Sequence, residues 1–521
     1  MKQKSGNVVL ISLIVALGGF LMGFDASVIS GVVKFIEPEF GLTKLELGWA
    51  VSSLTLTATL AMMLVGPLSD RYGRKKILSF AAAIYALSAI LSALAPSFWF
   101  LVVARMIGGF GVGASLIIAP MYIAETAPPH MRGRLVSFNQ LNIVIGISAA
   151  FFTNYLILQW GKSDASWAQA LQFDAYNWRW MLGLEALPAI IYFFALFIVP
   201  RSPRWLIMKG KEEDAIRIME ASVGSVQAHQ DLKVIKESLH ADKNKAKAKL
   251  TDIFKPSVRT VLMIGVVLAV LQQITGINSV FFYAPMIFEQ TGLGTDAAFS
   301  QAILVGLTNL VFTIVAIGMI DKFGRKPLLI FGMLGIAISM LVLSYGFSTA
   351  EYTITEKTLT EMTKENISTQ KFDKILGVNY QSEEEFKEAL LHIIDAKTFE
   401  KSESQIMQSS IQLNANFILF GIIAFVASFA VSIGPVMWVL FSELFPNAIR
   451  AIAISFVGFL NSMTSFLVQL VFPWELEVLG SSITFLIYGL FAIAGLLFVL
   501  KAVPETKGKS LEELEKQLVK E

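Results

Sequence analysis

Twelve stretches of this chain are each about twenty residues long, apolar and nearly free of charge. They lie at roughly 8–32, 47–69, 77–95, 98–124, 135–158, 178–199, 260–289, 300–320, 327–347, 414–441, 451–473 and 480–501. About 20 residues of helix cross the hydrocarbon core of a bilayer. Backbone groups in lipid find no water, and a helix closes all its hydrogen bonds within one segment. The expected fold class is therefore an all-α membrane protein with twelve transmembrane helices. Composition points the same way. Of 521 residues 55% are hydrophobic and 16% charged, against about 25% charged in a soluble domain. The mean hydropathy is +0.63, and a soluble fold of this kind would expose large apolar patches. Asp25 interrupts the first run and no small-residue cleavage site follows it, so it reads as a retained helix rather than a signal peptide. The net charge of +2 gives no basis for a nucleic-acid partner. The absence of cysteine excludes disulfides, thiolate metal sites and cysteine nucleophiles.

Loop charge sets the expected orientation. The segment after the second helix is Asp70-Arg71-Tyr72-Gly73-Arg74-Lys75-Lys76; Arg132 and Arg134 follow the fourth, and Lys322, Arg325 and Lys326 the eighth. The loops after helices 3, 7 and 11 carry no Lys or Arg. Even-numbered loops are thus expected to be cytoplasmic, with both termini inside a multi-pass protein of the cell (inner or plasma) membrane. Two stretches look soluble. Residues 200–259 suit short cytoplasmic helices. Residues 348–413 are polar and acidic and belong outside, where Ser382 and Glu385 form a capping box ahead of Phe386, Leu390, Leu391 and Ile394. That pattern predicts a small amphipathic helix, in a solvated excursion or in a partner-binding element. Asn366-Ile367-Ser368 is a glycosylation sequon, a triplet common by chance.

The two halves repeat. Asp70-Arg71-Tyr72-Gly73-Arg74-Lys75 recurs as Asp321-Lys322-Phe323-Gly324-Arg325-Lys326, and Glu125 precedes Arg132 by seven residues as Glu443 precedes Arg450. Asp70 to Glu125 is 55 residues and Asp321 to Glu443 is 122; the excess of 67 matches the stretch 348–413. The reading is a duplicated six-helix unit: a bundle over 1–199, a helical linker over 200–259, a second bundle over 260–501 with the insertion 348–413, and a cytoplasmic tail over 502–521. Parallel six-helix repeats mark alternating-access transporters, with the substrate between the halves near the midplane.

At these residues the chain resembles the sugar porter family of the major facilitator superfamily. The segments that carry the resemblance run from Gly18 to Asp25, Asp70 to Lys76, Arg105 to Gly109 and Pro120 to Glu125. They continue with Arg132-Gly133, Pro203-Arg204-Trp205-Leu206, Gln272 to Asn278, Gly434-Pro435 with Trp438, Glu443 to Pro446 and Pro504 to Gly508. The resemblance implies the major facilitator fold, two pseudo-symmetric bundles, and transport of a monosaccharide such as glucose or xylose by a chain expected to work as a monomer.

A sugar offers hydroxyls that donate and accept, so its site needs amides that do both, and an aromatic wall for the ring. Amides in membrane helices are costly unless satisfied. Gln140, Gln272, Gln273, Asn278, Asn309 and Asn461 are such amides. The resemblance implies that Gln140, Gln272, Gln273, Asn278, Trp438 and Asn461 match the family's sugar-contacting positions, with Asn309 a further candidate and Phe282 and Tyr283 closing the site from outside. The alternative is that the amides join helices and that Trp438 only packs. Gln272 and Asn278 are six apart, on opposite faces of a straight helix, so Gly276 between them is expected to break it.

Asp25 is the carboxylate of an apolar helix, and Arg105 in the fourth helix is its candidate partner. Burial and a nearby cation pull a carboxylate's proton affinity in opposite directions. A partner that approaches in one conformer and retreats in another would load and release a proton; the alternative is a static pair. The resemblance favours the former, because proton-coupled members carry an acid here and well-known facilitators a neutral residue. His130, His229, His240 and His392 all lie in or beside soluble segments and leave the carboxylate as the proton carrier. Asp70, Arg74, Glu125, Arg132, Arg204, Asp321, Arg325, Glu443, Arg450 and Glu505 are expected to form a cytoplasmic gate that latches the inner ends in the outward-open state.

Three positions depart from the pattern. Arg201 stands where the family has the Glu of Pro-Glu-Ser-Pro-Arg. Met22 stands where xylose symporters carry an aromatic, and Ile147 where they carry an amide, as glucose facilitators do. The last two tilt the reading from pentose toward hexose. A passive facilitator and a non-transporting sensor of the same fold are the competing readings, and the short tail after Pro504-Glu505-Thr506 argues against the sensor. The sequence shows no nucleophile–base pair, metal cluster or P-loop, so neither an enzyme, a cofactor nor nucleotide-driven transport is expected.

Overall fold

In a computed structural model eleven helical segments among the described residues are long and apolar enough to cross a membrane, and a twelfth, interrupted span follows the fifth helix. The structure describes residues 2–128, 131–244, 249–364, 372–394, 406–407, 409–509 and 511–518. The sequon at Asn366 and the side chain of Asp321 lie outside the described set. Spans one to five are single helices: α1 Lys2–Phe40, α2 Lys44–Tyr72, α3 Arg74–Ala93, α4 Phe98–Thr126 and α5 Arg132–Gly161. Local chemistry sets their ends. Thr43 and Glu46 cap each other's backbone N–H groups to start α2. Single glycines, Gly73 and Gly324, turn α2 into α3 and the eighth span into the ninth, as the sequence repeat demands.

The sixth span differs from the continuous helix expected over 178–199. After the short α6, Ser166–Ala170, it splits into α7, Asn177–Gly183, and α8, Ala186–Ala195. Pro188 explains the break. It has no N–H for the Leu184 carbonyl, which accepts instead from Leu187 N at 3.2 Å. Three linker helices follow, α9 Pro203–Met208, α10 Glu212–Val223 and α11 Ser225–Asn244, around a small core of Trp205, Leu206, Ile207 and Ala215.

The second half opens with a broken span, α12 Arg259–Ile274 and α13 Ile277–Glu289. The break falls at Gly276, whose φ of +90° suits glycine alone; a Cβ there would also strike the Tyr488 ring. Then come α14 Thr295–Phe323 and α15 Arg325–Ser348. The described residues of 348–413 form a small α/β unit that contains the expected amphipathic helix after Ser382 and adds short strands to it. Strands β1 Glu351–Thr353, β2 Asn379–Tyr380 and β3 Ile411–Gln412 pair antiparallel in the order β2-β1-β3, with helices α16 Glu356–Lys364 and α17 Glu383–Leu391. It has its own core of Tyr352, Ile354, Met362, Phe372, Phe386 and Leu390. Ser382 caps α17 through Glu385 N, while the Glu385 carboxylate reaches Gln381 N rather than that of Ser382.

The tenth span is again broken, into α18 Ala415–Val431 and α19 Ile433–Leu444. It is followed by α20 Arg450–Val478, α21 Gly480–Ala502 and the tail helix α22 Leu511–Leu518. The halves join unevenly. On α1, Phe24, Val28, Ile29, Val32, Val33 and Ile36 share one core with the second half, whereas Val8, Val15, Ala16 and Leu21 belong to a separate core of first-half residues alone. The bundles therefore meet on the face away from the charged loops.

Candidate functional site

Four of the expected amides converge at the break of the seventh span. Gln272 Nε2 donates to the carbonyls of Ile433 and Gly434 at 3.2 Å. These are backbone groups at the start of α19, where the break before Pro435 disturbs the helical ladder. Gln272 Oε1 accepts from Asn461 Nδ2 at 2.8 Å and from Gln273 Nε2 at 3.2 Å. Gln273 Nε2 also donates to Asn461 Oδ1 at 3.2 Å, and Asn461 Nδ2 to the Ala269 carbonyl at 2.8 Å. Asn278 Nδ2 donates to Gln273 Oε1 at 2.7 Å and to Ser465 Oγ at 2.6 Å. The kink at Gly276 is what turns Asn278 back to Gln273, five residues earlier. Gln272, Gln273 and Asn461 each use both donor and acceptor, and Asn278 donates, so a sugar hydroxyl, which does both, can replace a bond in the chain.

The other expected sugar contacts stand apart in this conformer. Gln140 is exposed on α5, Asn309 is buried on α14, and neither joins the four-amide chain. Trp438 is 45% exposed on α19, edge-on to Phe441 and over Gly458. Phe282 and Tyr283 are buried, with Tyr283 Oη donating to the Gln469 carbonyl at 2.9 Å and its ring against Phe472.

Asp25 and Arg105 are both buried and paired at 3.3 Å, Arg105 Nε donating in addition to the Ala50 carbonyl at 3.0 Å. The sequence reading missed a third member. Glu185, 3% exposed at the break in the sixth span, interacts electrostatically with both Asp25 and Arg105, and its Oε1 has no hydrogen-bond partner. The signal was present: Glu185 is an acid in an apolar run, the same feature that singled out Asp25.

On the charged-loop face the sequence repeat becomes a structural one. Arg74 pairs with Glu125 at 2.9 Å and Asp70 at 2.8 Å, and Ser202 Oγ donates to Glu125 at 2.5 Å. Arg325 pairs with Glu443 at 2.8 Å, and Thr506 Oγ1 donates to Glu443 at 2.6 Å. Each of these contacts lies within one half. Arg132 is exposed near Glu125, Arg204 opens α9, and Arg450 Nε donates to the Phe445 carbonyl at 2.9 Å.

Arg201 breaks the symmetry. Its counterpart by position, Glu505, accepts from the first two N–H groups of α15, Arg325 and Lys326, at 3.1 Å each. Burial pushes the Glu505 carboxyl up, but backbone N–H groups of Lys507, Arg325, Lys326 and Thr506 outweigh it and hold it below the usual range. The start of α3 has no side-chain cap, and Arg201 adds repulsion on Lys75. Arg201→Glu is therefore expected to stabilise the protein by about 1 kcal/mol, read as a small rise in Tm. Glu505→Gln is expected to lower Tm.

The opposite face carries ion pairs that do cross between halves. Lys34 on α1 pairs with Glu289 on α13 at 2.5 Å and also bonds Thr295. Lys162, at the end of α5, pairs with Asp296 on α14 at 2.5 Å, and Gln159 bonds the same carboxylate. With the α1 core contacts, they close this face.

Comparison with known proteins fits this geometry. A family model described as "Sugar (and other) transporter" matches residues 11–362 and 396–518. The chain is 34% identical over 518 residues to the arabinose-proton symporter of Bacillus subtilis, covering 99% of this chain and 96% of the relative. It is 35% identical over 550 aligned residues to the D-xylose-proton symporter of Escherichia coli, covering 99% and 96%. The inward-open structure of the xylose transporter XylE from E. coli superposes with a TM-score of 0.73 at 34% identity, over 98% of this chain and 100% of that one.

Proposed function

The chain belongs to the sugar transporter family of the major facilitator superfamily, and from that premise we propose that it carries a monosaccharide into the cell together with a proton. The observation that carries the proposal is the pairing of two sites in separate halves: the four-amide chain in the second and the buried Asp25–Arg105–Glu185 cluster in the first.

Positive charge assigns the charged-loop face to the cytoplasm, which puts both termini inside and the α/β unit outside. The conformer is then inward-facing. Residues 1–199 and 260–501 act as the two rocking bundles, 200–259 as the linker between them and 502–521 as the tail. In this conformer the outer face is held by Lys34–Glu289 and Lys162–Asp296. In the outward-facing state the outer pairs part, and the inner charges of Asp70, Arg74, Glu125, Arg132, Arg204, Asp321, Arg325, Glu443, Arg450 and Glu505 hold the cytoplasmic ends.

Sugar enters against Gln272, Gln273, Asn278 and Asn461, and its hydroxyls replace amide–amide bonds. Rocking of the first half brings Gln140 to the other side of the ring, with Trp438 as the apolar wall and Asn309 at the margin. Phe282 and Tyr283 close the outer path. The proton rides on Asp25. Arg105 beside it favours the charged form, and its withdrawal favours the protonated one; Glu185 is a second buried carboxyl of the first half. Met22 and Ile147 favour a hexose over a pentose, and a single chain contains the full set of groups, so the monomer is the working unit.

Counterflow of labelled hexoses and pentoses in proteoliposomes tests the substrate assignment. Exchange of at least one of them is expected. A folded protein that exchanges none contradicts it.

A further inference from the structure

Asn461, Ser465 and Gln469 are spaced at four-residue intervals and stand on one face of α20. The first belongs to the amide chain described above. The last is fully buried and makes three hydrogen bonds to three different elements of the machinery. Its Nε2 donates to Ser465 Oγ at 2.7 Å, the same oxygen that accepts from Asn278 Nδ2 at 2.6 Å. Its backbone carbonyl accepts from Tyr283 Oη at 2.9 Å. Its Oε1 accepts from Thr55 Oγ1 at 2.9 Å, and Thr55 is on α2, in the other half of the molecule.

The Thr55 bond is not what a threonine in a membrane helix does by default. Its neighbours Thr57 and Thr59 bond back to carbonyls of their own helix, at Ser53, Leu54 and Thr55, the usual local solution. Thr55 reaches across the interface instead. The approach there is close: a Cβ on Gly48 of α2 would strike the backbone of Leu470, and Trp49 packs edge-on against Phe466 at 5.6 Å. A leucine would fill the space of Gln469 at less cost, since a buried amide is expensive unless bonded.

We propose that Gln469 and Thr55 form a polar seam that couples occupancy of the amide site to closure of the outer face. Gln469 is a positioning residue: its side chain orients Asn278 through Ser465 and bonds Thr55 only when the halves meet outside, while the backbone carbonyl of the same residue holds Tyr283. Sugar that pulls on Asn278 is thereby felt at the interface, and opening of the outer face loosens Asn278 and Tyr283 together. This rests on the sugar-transport reading above.

The natural absence of cysteine makes the test clean. Ser52 is buried and lies on the α2 face of Gly48 and Thr55, four residues from one and three from the other. Ser52→Cys then reports outer opening by its rate of maleimide labelling. Thr55→Val and Gln469→Leu are each expected to speed that labelling about 3- to 10-fold, the scale of one net hydrogen bond. The double variant should be no faster than the faster single one, and Thr55→Ser should restore the parent rate. A sugar that exchanges in counterflow should change the parent rate, and Thr55→Val should blunt that response. Should Gln469→Leu fail to fold, the Thr55→Val and Thr55→Ser pair decides alone.

Unchanged labelling in Thr55→Val, or effects of the two substitutions that multiply, overturns the seam. A parent that exchanges sugar yet labels identically with and without it overturns the coupling. A parent that exchanges no sugar overturns the transport reading instead, while the sugar-free rates still decide the seam.

Discussion

Asp25→Asn is expected to abolish uphill sugar accumulation while leaving sugar exchange intact. An inward gradient of one pH unit corresponds to about 1.4 kcal/mol per proton, enough for roughly tenfold accumulation at one proton per sugar. The variant should fall to equilibration, an accumulation ratio of about one. Asparagine keeps the size of the side chain and one acceptor oxygen, so Arg105 retains a neutral partner beside the Ala50 carbonyl. It cannot carry a proton through the cycle. Breaking a buried ion pair costs stability, of order 3–5 kcal/mol when one charge is left uncompensated. Persistent exchange is therefore the control for folding. If Asp25 and Arg105 were a static strut, accumulation and exchange would fall together.

The second large effect is expected at Gln273, the centre of the amide chain. It accepts from Asn278 and donates to Gln272 and Asn461. Gln273→Leu leaves Asn461 Oδ1 buried without a partner, at about 1–3 kcal/mol, while Gln272 Oε1 keeps Asn461 and Asn278 Nδ2 keeps Ser465. A site built around hydroxyl hydrogen bonds loses discrimination steeply when its polar groups are disrupted. Equilibrium sugar binding should weaken by roughly 100-fold, with a modest loss of Tm. If the amides served only to join helices, the protein that remained folded would bind sugar with unchanged Kd.

The spans were legible because a lipid-facing helix must be apolar along its whole length, a signal of about twenty residues that no local accident imitates. The inner charges were legible because duplication wrote them twice, and the structure repeats Arg74–Glu125–Ser202 as Arg325–Glu443–Thr506. The break at Gly276 followed from the incompatible faces of Gln272 and Asn278. What escaped was set by tertiary context. The exception is the sixth-span break, which Pro188 sets locally through its missing N–H and which a count of apolar residues does not register. Strands of two or three residues in 348–413 are too short to carry an alternating pattern. Lys34–Glu289 and Thr55–Gln469 join residues more than 250 positions apart, a pairing that no single-chain spacing encodes. Glu185 could have been found, since it obeys the rule that exposed Asp25.

Proton-driven sugar accumulation by the unaltered protein is the most direct test. Proteoliposomes are loaded at one pH, diluted to a pH one unit lower outside, and followed for uptake of the sugar that exchanges in counterflow. The account predicts an internal concentration that overshoots the external one severalfold and collapses when a protonophore is added. Uptake that stops at equality and ignores the gradient would contradict it, and would make the protein a facilitator in which Asp25, Arg105 and Glu185 hold helices together.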